Sequence, residues 1–63
     1  MVMDYEIQNE VDYIVEDVAN FQYSRESGVN KVKQAVKSVG KTDSKTIREA
    51  VKYYEQQCDA RGI

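Results

Sequence analysis

Residues Val29–Cys58 read VNKVKQAVKSVGKTDSKTIREAVKYYEQQC, and the period of their apolar positions decides the fold. Val29, Val32, Ala35, Val36 and Val39 recur at spacings of three, three, one and three. That is one face of a helix, whereas a strand would alternate. Gly40 follows directly, and glycine takes the left-handed conformation that ends many helices at little steric cost. Asp43 or Ser44 can then cap a following helix by accepting a hydrogen bond from an N–H of its first turn. Thr46-Ile47-Arg48-Glu49 also has the form of a capping box, so the start is open by a few residues. A second stripe of Ile47, Ala50, Val51, Tyr54 and Cys58 runs along a helix over 44–58. A connection as short as Gly40-Lys41-Thr42-Asp43 makes the two helices spatial neighbours. The pair is a helix-turn-helix.

Upstream, Asp4 is placed to cap a first helix running to about Phe21. Its stripe is Ile7, Val11, Ile14, Val15 and Val18, finished by Phe21. The β-branched content would suit a strand, but a strand would turn half of these residues to water, so the period decides for helix. Asn20 to Ser27 reads as a connection, with Ser24 or Ser27 capping a second helix that ends at Val39. Beyond Cys58 the period is lost, and Asp59-Ala60-Arg61-Gly62-Ile63 reads as a fraying end. The expectation is an all-α chain forming one domain over 1–63, a small three-helix bundle whose second and third helices are helix-turn-helix-like. Its expected core is Ile7, Val11, Ile14, Val15, Val18, Val32, Val36, Val39, Ile47, Val51 and Tyr54.

Composition removes several functional classes. With 63 residues, one cysteine and no histidine, a single chain has no internal disulfide and no Cys/His zinc site. Ser or Cys nucleophiles lack the imidazole that usually activates them, and three short helices make a poor cleft for substrate. Gly28, Gly40 and Gly62 stand alone, so no phosphate-cradling loop is present. No catalytic, cofactor-binding or metal residues are assigned, no cofactor is expected, and no small-molecule substrate is assigned. Met1-Val2-Met3-Asp4-Tyr5-Glu6 has neither a basic region nor a long apolar run, so no signal peptide is read there. No stretch approaches the ~20 apolar residues that cross a bilayer, and a cytoplasmic protein with no membrane partner is expected.

The net charge of −2 hides a polarity along the chain. Residues 1–27 carry seven acids against Arg25 alone, net −6, and residues 28–63 carry eight bases against four acids, net +4. Acids beside the core of the first helix are read as facing lysines of the other two, with a surface for a basic partner or a nucleic-acid mimic as the sharper alternative. Cys58 lies on the core face of the third helix and is read as a small buried hydrophobe rather than a reactive thiol.

Two binding surfaces remain. Tyr5, Tyr13, Tyr23 and Tyr53 fall beside or off the core stripes, and exposed tyrosine supplies interface area at little entropic cost. Lys41, Lys45, Arg48 and Lys52 gather at the helix-turn-helix joint, where a DNA-reading second helix would present its first turns to the major groove. Glu49 and Glu55 interrupt that patch, and the chain's pI near 5.0 is far from the basic value usual for nucleic-acid domains. The first expectation is therefore a small non-enzymatic regulator or inhibitor that binds a protein and self-associates as a homo-oligomer through its tyrosines. The alternative is a helix-turn-helix DNA-binding transcriptional regulator using helix 44–58.

Overall fold

Asp4, Ser24 and Asp43 each precede a helix and accept a backbone hydrogen bond from its first turn: from Glu6 at 2.9 Å, Ser27 at 3.1 Å and Thr46 at 3.0 Å. Three N–H groups left orphaned by helix geometry are satisfied in this way. The Thr46 hydroxyl and amide hold the Asp43 carboxyl below its ordinary pKa. The structure, a computed structural model, describes residues 4–63. Met1, Val2 and Met3, read above as part of an N-terminus without signal character, lie outside the described residues. The helices are α1 (Tyr5–Ala19), α2 (Arg25–Ser38) and α3 (Ser44–Arg61), each packed against both others. This is the three-helix bundle expected from the periodicity.

All three helices end alike. The amide after the reversal reaches back five residues, Gln22 to the Asp17 carbonyl, Lys41 to Val36 and Ile63 to Cys58, at 2.9–3.1 Å. A left-handed residue makes each reversal, Gly40 at φ 83° and Gly62 at φ 74° for α2 and α3. At the end of α1 that residue is Phe21, at φ 62°. The expectation that Phe21 completes the α1 stripe is therefore overturned: the helix stops at Ala19, and the reversal swings the ring out to 92 % exposure. A side chain in this region costs about 1–2 kcal/mol, partly offset in glycine by its floppier unfolded chain. Phe21→Gly is expected to raise stability by about 0.5–1 kcal/mol in urea denaturation. A loss of stability would mean that the ring holds the turn.

The far end of α3 corrects a second expectation. Residues 59–61 do not fray but extend the helix to Arg61, and Ile63 folds back against the core. Arg25, at the start of α2, fastens that end. Its guanidinium donates to the Ile63 carbonyl at 2.8 Å and the Glu55 carbonyl at 3.3 Å, and pairs with Asp59 at 2.9 Å.

Ile7, Val11, Ile14, Val15, Val18, Val32, Val36 and Tyr54 are buried as expected. Val39, Ile47 and Val51 are half-buried at the margin instead, while Ala50 and Cys58 join the interior. Val39 is the C-cap of α2, and for Ile47 and Val51 the reason is the facing of α3. Its innermost row is Ala50, Tyr54 and Cys58, one turn apart, which leaves Ile47 and Val51 on the flank of the stripe. The fully buried Tyr54 ring spans the core to α2, where its hydroxyl donates to the Arg25 carbonyl at 2.7 Å. Gly28 admits it, since a Cβ there would lie 2.1 Å from the Tyr54 oxygen. Burial, with Cys58 alongside, pushes the Tyr54 phenol's pKa up.

Candidate functional site

Helix α1 buries only one side. Its apolar stripe turns Ile7, Val11, Ile14, Val15 and Val18 inward, and the 3.6-residue period then sets Tyr5, Asn9, Asp12, Tyr13 and Glu16 together on the opposite side. These five residues line a shallow groove of about 410 Å³. Tyr5 and Tyr13 stand at 74 % and 72 % exposure. Eight residues apart on one helix, they are separated by about 12 Å along its axis.

Two side chains of α3, Tyr53 and Arg61, reach acids that line the groove. The Tyr53 hydroxyl accepts from the Gln8 side-chain amide at 3.2 Å and donates to Asp12 at 3.0 Å, which fixes the Asp12 carboxylate at the groove's edge. Burial and this carboxylate raise the Tyr53 phenol's pKa, against the opposing effect of Gln8. Arg61 reaches Glu16 at 3.5 Å, with both side chains partly in water. An exposed pair at that separation contributes little and is readily exchanged for another partner.

Tyr5 and Tyr13 thus line one groove, and Tyr53 is bonded to Asp12 within it. Tyr23 does not join them. It is half-buried, packs against the core and donates to Asp17 at 3.1 Å, and burial followed by that carboxylate pushes its phenol up to about 12. The Lys31 ammonium lies 4.8 Å from the centre of its ring, a cation–π contact. Asn9 was not singled out by residue type, although its position midway between Tyr5 and Tyr13 on the helical wheel was available to find it.

No protein-family model matches the chain, nor does any curated protein or solved structure compared with it.

Lys41, Lys45, Arg48 and Lys52 are all exposed at the α2–α3 joint. Among the described residues the ion pairs are Arg25–Asp59 and Arg61–Glu16, so none joins a lysine to an acid of α1. The expected pairing of α1 acids with lysines of the other helices is therefore not direct: no lysine is in contact with an acid of α1, but Lys31 of α2 lies over the Tyr23 ring whose hydroxyl is bonded to Asp17. Helix α1 carries Glu6, Glu10, Asp12, Glu16 and Asp17 with no lysine or arginine, and the joint carries the bases. Cys58 is fully buried, as its place on the stripe implies. Among the described residues no cluster of His, Cys, Asp or Glu has the geometry to hold a metal ion, and no helix is long and apolar enough to cross a membrane.

Proposed function

We propose that this chain is a small non-enzymatic regulator or inhibitor that works in the cytoplasm by binding another protein, with the outer face of α1 as its docking surface. The observation that supports this most is the exposure of Tyr5 and Tyr13 around one groove that Asp12 and Glu16 also line. Large amphipathic rings left in water on a rigid helix are the side chains that most often anchor interfaces. Self-association by a two-fold contact on this face would set Asp12 and Glu16 against their copies. The charge pattern therefore favours, for a homo-oligomer, a head-to-tail contact between this face and the basic joint of a second copy.

A second reading rests on the joint itself: Lys41, Lys45, Arg48 and Lys52 are exposed on the helix-turn-helix, where phosphate contacts would supply most of the affinity for DNA. One paired experiment separates the two. The immobilised protein captures its partner from native extract, and the same preparations are run in gel shifts against random duplex at low salt. Tyr5→Ala/Tyr13→Ala should abolish specific capture while Lys45→Ala/Arg48→Ala/Lys52→Ala leaves it intact, and no duplex should be retarded at tens of micromolar. Retardation lost in the triple variant, with capture indifferent to the tyrosines, would overturn the first reading in favour of the second.

A further inference from the structure

Residues 59–63 carry no apolar stripe, yet they continue α3 to Arg61 and close it at Gly62. Asp59, Ala60, Arg61 and Gly62 are exposed, and Ile63 is the one side chain of the segment that packs against the core. Apolar burial therefore holds the segment at a single point. Its polar ties run to Arg25, whose guanidinium donates to the Ile63 carbonyl at 2.8 Å and pairs with Asp59 at 2.9 Å. Arg61 adds the partly exposed pair with Glu16 at 3.5 Å, which contributes little.

The preceding turn is fixed in another way. Tyr54 is fully buried, and its hydroxyl donates to the Arg25 backbone carbonyl at 2.7 Å. That bond uses neither the guanidinium nor any atom of residues 59–63, so it survives when the segment lifts. The guanidinium also donates to the Glu55 carbonyl at 3.3 Å. By helix geometry, unwinding residues 59–63 takes the Asp59 amide away from that carbonyl. The Arg25 side chain is already in place to cap it. Arg25 thus serves both a longer and a shorter α3.

We propose that residues 59–63 form a strap, clasped by the Arg25 side chain, that opens while the rest of the bundle stays folded and uncovers Cys58. Segments held by few buried apolar contacts open at a lower free energy than the whole chain unfolds. Cys58 stands at the boundary: it is fully buried, and its carbonyl accepts from the Ile63 amide at 3.0 Å. It is also the one cysteine of the chain, so its modification reports the opening without ambiguity.

The test labels the full chain with iodoacetamide at fixed pH, follows the adduct by intact mass, and measures global stability by urea denaturation. Well below the unfolding midpoint the labelling rate should be nearly independent of urea, because lifting a short segment exposes little surface. Val51→Ala, two turns before Cys58, should lower the urea midpoint and leave the labelling rate unchanged. Arg25→Ala should speed labelling about 10-fold by removing the clasp. Asp59→Asn, which alters one exposed contact, should speed it about 2–5-fold and carries the comparison if Arg25→Ala fails to fold by circular dichroism. A rate that climbs with urea along the global unfolding curve would overturn the inference, since Cys58 would then be reached only by unfolding the whole chain. So would a rate that Val51→Ala raises in proportion to the stability it removes. A rate indifferent to both Arg25→Ala and Asp59→Asn would overturn it too, because the guanidinium would not be what holds the strap.

Discussion

Gly28→Ala is expected to destabilise the protein by about 2–4 kcal/mol, the opposite of what the same change does in most helices. Replacing glycine by alanine inside a helix ordinarily gains up to about 1 kcal/mol of propensity. Here the new methyl would sit 2.1 Å from the Tyr54 oxygen, 2.8 Å from Cζ and 3.2 Å from Cε1. The ring has nowhere to retreat, because Tyr54 is fully buried and its hydroxyl is bonded to the Arg25 carbonyl at 2.7 Å. Relief requires breaking that bond or prising α2 from α3. Tyr54→Phe alone should cost about 1 kcal/mol for the lost bond. Combined with Gly28→Ala it should cost less than the two changes summed, since the worst clash is with the deleted oxygen. Additive losses in urea denaturation would show that the ring and the glycine do not confront one another.

Ile14→Ala should cost about 2–4 kcal/mol, and Val51→Ala only about 0.5–1.5 kcal/mol. Both lie on apolar stripes, but Ile14 is 8 % exposed in the interior whereas Val51 is half-buried at the margin. A domain of 63 residues has a total stability of only roughly 3–9 kcal/mol. The first change is therefore comparable with the whole margin and should leave a measurable unfolded population at room temperature. Each kcal/mol lost should lower Tm by about 4–8 °C, so thermal melts followed by circular dichroism separate the two variants. Equal shifts would place Val51 in the interior row and move the facing of α3.

What the sequence disclosed, and what it withheld, follows from the range of the forces involved. Helix starts were legible to within a few residues because capping is local: Asp4, Ser24 and Asp43, two of them read with Ser27 and Ser44 as alternatives, act on amides two or three residues away. The turn at Gly40 was legible for the same reason. The end of α1 was not, because Phe21 is three residues beyond Val18, in phase with the stripe, and no glycine announces the reversal. The end of α3 depends on a long-range fastening, Arg25 to Asp59 and to the Ile63 carbonyl, that no local pattern encodes. The role of Gly28 is hidden likewise, since it exists only through Tyr54. Periodicity gave the stripes to within one flank, and so left Ala50 and Val51 to be ordered by packing. At the candidate site, residue type pointed to Tyr5, Tyr13 and Tyr53. Only the three-dimensional arrangement joined Tyr53 to Asp12 in the groove that Tyr5 and Tyr13 line, and set Tyr23 apart beside Asp17 and Lys31.

The claim that the outer face of α1 is the docking surface is tested most directly by amide chemical-shift mapping of the isotopically labelled chain with its captured partner. Perturbations should concentrate at Tyr5, Asn9, Asp12, Tyr13 and Glu16, with Tyr53 at the rim. Perturbations gathered instead at Lys41, Lys45, Arg48 and Lys52, with α1 undisturbed, would contradict the account.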